Sequence, residues 1–300
     1  MHSLVTGGTG FIGRHLVARL DRPLVAGRNP ERISALPGVG GACVWSGDTL
    51  LNTADLGDLD AIFHLAGESV FKGRWNRAKK ERILQSRVRG TRNLVQSLGR
   101  MDRPPAVLVC ASAIGVYGSR GDSVLTEDSP PGDDFLARVC MAWEEEAARA
   151  EKYDIRVVMI RTGVVLGSDG GALPQMLTPF RLGLGGVIGS GRQYMSWIHI
   201  DDLVGIMLHA AATETLRGPV NATAPEPVTN RHFTRTLATI LGRPAFFTVP
   251  GFVLRITLGE FADVLLGSQR VMPEKISAAG YVFRHPDLAE ALVDLLEDAK

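Results

Sequence analysis

The chain has 300 residues, of which 45% are hydrophobic and 22% charged, and its formal net charge is +1. This composition supports a sizeable buried core and excludes a disordered chain. A near-neutral balance with no lysine- or arginine-rich tract argues against nucleic-acid or membrane-surface binding, since both need a concentrated basic face. Cys43, Cys110 and Cys140 are far apart, odd in number and form no C-x-x-C pair. They read as thiols of a reducing compartment, not as bridges or a metal site, so a cytoplasmic location is expected. The fold signals begin at residue 2, which leaves no room for a signal peptide, and the longest apolar stretches are shorter than a membrane span.

The first element is the most informative. Leu4 and Val5 lead into Thr6-Gly7-Gly8-Thr9-Gly10-Phe11-Ile12-Gly13, after which Ile12, Leu16, Val17 and Leu20 take helical spacing. Strand, glycine turn and helix start in that order make an anion pocket: glycines let the backbone approach a pyrophosphate, and free N–H groups with the helix dipole supply positive potential. A second strand is then expected about 20 residues on, facing the adenosine ribose. Pro23-Leu24-Val25-Ala26-Gly27-Arg28 occupies that place. A carboxylate at its end would favour NAD, whereas Arg28, followed by Asn29 and Arg32, suits a 2′-phosphate and so NADP(H). Outside this context Arg28 would read as a solvated loop charge.

Further strands alternate with helices. Ala61 to Gly67 is a continuous apolar run closed by glycine, as in a strand buried on both faces. Residues 75–99 follow as a helix with Ile83, Leu84, Val88, Leu94, Val95 and Leu98 inward. Ala106–Cys110 is the next strand, Phe135–Glu151 a helix, and Ile155–Ile160 another strand. Glu144, Glu145 and Glu146 read as a solvated acidic face. The alternation predicts an α/β fold with a doubly wound parallel (Rossmann) sheet over residues 1–167, to which about 195–222 return. From about 168 glycine becomes dense and the strands short, and prolines divide the remainder. This part, 168–300, is expected to be a smaller C-terminal substrate-side lobe.

These strings together resemble the extended short-chain dehydrogenase/reductases, the nucleotide-sugar epimerase-like group. The likeness rests on the Thr6–Gly13 turn, His64-Leu65-Ala66-Gly67, Ala111-Ser112-Ala113-Ile114-Gly115-Val116-Tyr117-Gly118, Arg161 to Gly167, and Trp197 to Leu203. An atypical branch with an added C-terminal domain is more similar still, through Ala66-Gly67-Glu68, Arg74-Trp75-Asn76, Ser86-Arg87, Pro179–Gly186 and Ile188–Gln193. Residues from about 250 to 297, including Gly267–Arg270 and Ala279-Gly280-Tyr281, look like that extra domain. The resemblance implies cofactor contacts at Leu65, Ala66, Gly67, Arg87 and Val164, a small-molecule substrate and a homodimer.

The resemblance also implies a Ser or Thr after the fifth strand and a Tyr-x-x-x-Lys on the next helix, whose Lys lowers the Tyr pKa. Ser112 fits the first position, or else caps its loop. The pair is missing: Leu136 stands at the Tyr place and Cys140 at the Lys place. Tyr117 and Glu68 are the remaining candidates for proton transfer, Glu68 if burial raises its pKa and otherwise as a surface carboxylate. Arg87 can supply the lost cation. His199 reads more readily as a packed, hydrogen-bonded residue than as a catalytic one, and Arg181, Arg192 and Gln193 either bind an anionic substrate group or cap loops. No spacing of His, Cys and Asp suggests a metal. The expectation is an NADP(H)-dependent oxidoreductase or epimerase-like enzyme with altered proton transfer, against a sensor or regulator that binds NADP(H) with reduced catalysis, or an assembly factor.

Overall fold

Seven short strands make the central sheet, the inner ones mostly buried. The computed structural model describes residues 1–54, 56–71 and 73–297. β1 (Ser3–Thr6), β2 (Leu24–Gly27), β3 (Gly41–Val44), β4 (Ala61–His64) and β5 (Val107–Ala113) are joined in it by strands Arg156–Thr162 and Gly218–Ala222. Across the sheet the order is 218–222, 156–162, β5, β4, β1, β2, β3, and every pairing is parallel. The chain leaves β1 in one direction for β2 and β3 and returns on its other side at β4. That reversal opens a crevice beyond the carboxyl ends of β1 and β4.

Side chains alternate across the sheet and define two layers. On one face Val5, Phe63, Val109 and Val158 pack with Leu16 and Val17 of α1 (Phe11–Val17) and with Leu203 and Met207 of helix Ile200–Ala212. After α2 (Pro30–Ser34), the two long helices α3 (Arg77–Leu98) and α4 (Phe135–Ala148) cover the other face. There Leu4, Ile62, Leu108 and Val157 meet Leu94, Leu98, Trp143 and Ala147. Asn76 and Asp134 cap α3 and α4, each accepting a backbone N–H at 2.8 Å. The α4 helix ends at Ala148, three residues earlier than its pattern suggests, tightening into a 3-10 turn over Arg149–Tyr153 that Asp154 closes at φ +59°.

The acidic run on α4 corrects the sequence reading. Glu145 is exposed, but Glu144 and Glu146 point inward. Glu146 pairs with Arg92 and Arg149, and Glu144 is held by Arg161 through Nε at 2.9 Å and NH2 at 2.8 Å. Charges on a helix are a solvated face only when no cation waits beneath, and here the adjoining strand and α3 supply them.

Small two-stranded pairings flank the main sheet: Val164–Leu166 with Trp197–His199, Gly186–Ile188 with Phe247–Val249, and Val124–Leu125 with Arg270–Val271. The carboxy-terminal part is woven into the main body. Val271 packs with Ile114, Val116 and Leu125, and helix Leu288–Glu297 buries Leu288, Leu292 and Leu295 in the first layer. Among the described residues no helix is long and apolar enough to cross a membrane. Arg161→Ala leaves Glu144 buried without its cation and is expected to cost about 3–5 kcal/mol. Arg103→Ala breaks an exposed pair with Asp58 (77% and 68% exposed) and should cost about 1 kcal/mol or less; urea unfolding of both variants measures the difference.

Candidate functional site

The crevice is walled by the glycine turn between β1 and α1. Gly7 has φ +72°, and a side chain there would lie 2.8 Å from the Leu65 backbone. A Cβ on Gly8 would come within 2.7 Å of Val25, and one on Gly13 within 2.3 Å of the Gly7 carbonyl oxygen. These three positions exclude any side chain. Gly10 is looser, with its nearest neighbour 3.2 Å from an added Cβ. Its N–H donates to the Gly7 carbonyl at 2.9 Å, and α1 starts with no side-chain cap. The backbone N–H groups of Thr9, Phe11 and Ile12 therefore border the crevice without a helical partner, as an anion requires.

Two segments close on this turn. Gly167, Gly170 and Gly171 pack on the Phe11 ring, and Asp169 accepts a bond from Arg14 at 3.1 Å and lies 3.0 Å from His15 Nε2. This loop follows Val164, whose half-buried strand pairs with Trp197. Arg28 is exposed just past Gly27, and its charge reaches Glu68. Asn29 is spent on capping α2, accepting the Arg32 N–H at 3.0 Å.

The exit of β4 is held by a buried imidazole. His64 shares one hydrogen bond with Thr6 Oγ1 at 2.7 Å and another with Thr91 Oγ1 at 2.9 Å. Thr6 Oγ1 also accepts the Ala66 N–H at 3.2 Å, which sets the direction of Leu65-Ala66-Gly67. Burial, aided by the nearby Arg87, lowers the His64 pKa to about 4. Glu68 follows, its N–H donating to Ser86 Oγ at 2.9 Å and its carbonyl accepting from Arg87 NH1 at 3.0 Å.

The Glu68 side chain runs against the expectation of a raised pKa. Lys79 donates to it at 2.6 Å, and this bond, outweighing partial burial, holds the carboxyl below its ordinary range. Lys79 is itself almost fully buried, a partner that sequence spacing did not single out. The Arg87 guanidinium lies over the Trp143 ring at 4.9 Å and against Gly67, where an added Cβ would meet Cζ at 3.2 Å. Burial lowers its pKa, while the neighbouring Cys140 and Glu68 act in the opposite sense. Arg87 thus brings a cation close to the α4 position from which lysine is missing.

The hydroxyls predicted for proton transfer turn inward. Ser112 is 4% exposed and donates to Glu144 Oε1 at 2.6 Å. Tyr117 is 0% exposed, donates to Asn221 Oδ1 at 2.7 Å and accepts from Arg161 NH1 at 2.9 Å. Burial raises its pKa. In this geometry Tyr117 is buried and hydrogen-bonded on both sides, and Ser112 links β5 to α4. Leu136, Cys140 and Glu144 follow one another at single helical turns, so the carboxylate sits one turn beyond the lysine place. Burial pushes the Cys140 thiol up to about 12. From sequence Glu144 reads as solvated, Arg161 only as part of a family string and Asn221 not at all; the signal is charge or amide beside apolar residues.

The remaining candidates lie in the residues after 180. His199 is buried, its Nδ1 accepts the Asp201 N–H at 3.1 Å, and it stacks on His285 with centroids 3.8 Å apart. His199, Asp201 and His285 bring ligand atoms within 4.8 Å of one another, a grouping that the spacing of His, Cys and Asp in the sequence did not suggest. Gln193 caps a loop, donating to the Ile188 carbonyl at 2.9 Å, while Arg181 and Arg192 are exposed.

Comparison with known proteins agrees with this geometry. The NAD dependent epimerase/dehydratase family matches residues 3–221, and a domain of unknown function, DUF1731, matches 249–295. Epimerase family protein SDR39U1 of Bos taurus is 41% identical, covering 99% of this chain and all of the relative. Epimerase family protein YfhF of Bacillus subtilis is 37% identical over 100% of this chain and 99% of its own. The crystal structure of human SDR39U1 isoform 2 with NADPH superposes with a TM-score of 0.87 at 36% identity, covering 99% of this chain and 100% of that one.

An unfolded histidine titrates near 6.5 and native His64 near 4, so between those values the unfolded chain binds more protons. Stability is therefore expected to fall by about 3 kcal/mol as pH drops through that window. Urea midpoints at pH 7 and pH 4.5, compared with those of His64→Gln, measure this contribution.

Proposed function

The chain belongs to the NAD dependent epimerase/dehydratase family, and on that premise we propose that it binds NADP(H) and acts as an oxidoreductase or epimerase-like enzyme on a small molecule. The observation that carries this reading is the cradle at Gly7, Gly8 and Gly13, closed to any Cβ and bordered by free N–H groups. Bound NADP(H) supplies or accepts a hydride. Gly7 to Gly13 hold the pyrophosphate, and Arg28, just past Gly27, pairs with the 2′-phosphate. Leu65, Ala66 and Gly67, directed by Thr6 and His64, and Val164 on the facing strand form the walls toward the nicotinamide end. Crystallisation of human SDR39U1 with NADPH supports the choice of cofactor.

Proton handling differs from the Tyr-x-x-x-Lys pattern. Arg87, beside Cys140, takes the electrostatic place of the ammonium. Glu68, kept ionised by Lys79, serves as a proton acceptor and not as a donor. The inert, buried thiols of Cys110 and Cys140 suit a reducing, cytoplasmic setting.

A second reading, an NADP(H) sensor with reduced catalysis, draws support from the inward-turned hydroxyls of Ser112 and Tyr117. The two part on turnover. NADP⁺ reduction with a panel of hydroxyl compounds, hydride passing to NADP⁺ and the hydroxyl proton to Glu68, abolished by Glu68→Gln while NADPH still binds, supports the enzyme; tight NADPH binding without turnover supports the sensor. Arg28→Glu is expected to weaken NADPH about 100-fold, the ~3 kcal/mol of a lost charge-assisted bond, and to leave NADH nearly unchanged. Calorimetry with both coenzymes tests this.

A further inference from the structure

Six large apolar side chains between residues 182 and 256 stand more than half exposed: Leu182, Leu184, Phe246, Phe247, Phe252 and Ile256. Three adjoining pieces of chain carry them. Strand Phe247–Val249 pairs only with Gly186–Ile188 among the described residues, so its other edge is unpaired. Helix Gly251–Leu258 follows that strand directly and buries none of its residues, and Phe252 and Ile256, four apart, share one of its faces. Leu182 and Leu184 lead into the neighbouring strand through a turn in which the Leu184 N–H donates to the Pro179 carbonyl at 2.8 Å. Leu266 supports both sides: a Cβ on Gly189 would meet it at 3.0 Å and one on Gly251 at 3.2 Å.

The area and composition of this face suit a protein partner. Phe246, Phe247 and Phe252, exposed at 90%, 55% and 64%, leave about 400 Å² of surface in water. With the three aliphatic residues the total rises toward the ~800 Å² that each side of a stable complex covers, beyond the roughly 300–600 Å² of the largest patch on an ordinary monomer. No lysine occurs between Lys152 and Lys275, and the cations next to the patch in sequence are Arg181, Arg243 and Arg255. Aromatic residues and arginine without lysine are the make-up of interface cores. A helix that lies in a membrane surface has a strongly charged face, whereas Gly251–Leu258 carries one charge, Arg255, paired with Asp263 at 3.1 Å. The exposed residues of α3 offer no comparable surface, since Glu81, Arg82, Gln85, Arg89, Arg92 and Gln96 are charged or amide. An edge strand with unpaired N–H and C=O groups is matched by its own copy, because a two-fold axis brings identical segments together and closes the assembly.

We propose that this face is the contact between two copies of the chain, strand Phe247–Val249 and helix Gly251–Leu258 of one protomer lying against the same elements of its partner. The start of the DUF1731 region, residues 249–295, then serves assembly. This holds whether or not the crevice binds NADP(H). Sedimentation velocity on the full chain at micromolar concentrations tests it, with Phe252→Asp, Ile256→Asp and, as a control on α4, Met141→Asp. All three positions are exposed, and circular dichroism melts check that each variant is folded. The expected result is a wild-type particle of twice the chain mass. Either substitution on the helix raises its dissociation constant about 30-fold or more, the effect of losing one central anchor, and Met141→Asp leaves it unchanged. A wild-type monomer, a dimer insensitive to both helix substitutions, or a dimer lost with Met141→Asp overturns the proposal. Flotation with phosphatidylglycerol–phosphatidylcholine vesicles covers the other occupant: wild-type protein carried by the vesicles and released by Phe252→Asp overturns it in favour of a lipid surface.

Discussion

The close approach of the glycine turn to the exit of β4 is the constraint on which the site depends. Gly7 touches the Leu65 backbone and Gly13 packs on Gly7 itself. With no Cβ between them, α1 starts directly beside the carboxyl ends of β1 and β4, where the strand order reverses. His64 reinforces this contact from beneath. It spans Thr6 on one side and Thr91 on the other, so β1, β4 and α3 are tied at one buried point. A neutral imidazole suits that place because it offers one donor and one acceptor without a charge to desolvate.

A second buried network lies on the α4 side and does different work. Ser112, Glu144, Arg161, Tyr117 and Asn221 form a continuous chain of hydrogen bonds, and Glu127 extends it by accepting the N–H groups of Asn221 at 3.0 Å and Lys275 at 3.1 Å. Strand, helix and carboxy-terminal region are thereby locked in one arrangement. The hydroxyls of Ser112 and Tyr117 both spend their protons within this network. Glu144 is thereby committed to Arg161, and the cations beside the exit of β4, Lys79 and Arg87, come from α3 and not from α4.

The carboxy-terminal region reaches back over the same edge of the sheet. Phe261 meets the loop after β4, Ser268 donates to the Gly121 carbonyl at 2.6 Å, and Gln269 supports the turn after β5. A region that contacts the exits of both β4 and β5 shapes what can approach the crevice. The rest of its length is less embedded: helix Gly251–Leu258 buries none of its residues.

Much of the cofactor half was legible from local patterns. Alternating apolar runs identified the parallel sheet, and the spacing of Gly7, Gly10 and Gly13 after a strand marked the anion turn, because backbone geometry there involves residues only a few positions apart. The absence of tyrosine and lysine at 136 and 140 was equally plain. The sequence alone did not reveal where the polar side chains would point. Ser112 finds Glu144 at a separation of 32 residues, and Tyr117 finds Asn221 at 104. Glu68 finds Lys79 across a loop and a helix start, which reverses the expected direction of its titration. Whether a hydroxyl or carboxylate is free to react is decided by partners brought together through packing, and only the tertiary structure assembles them.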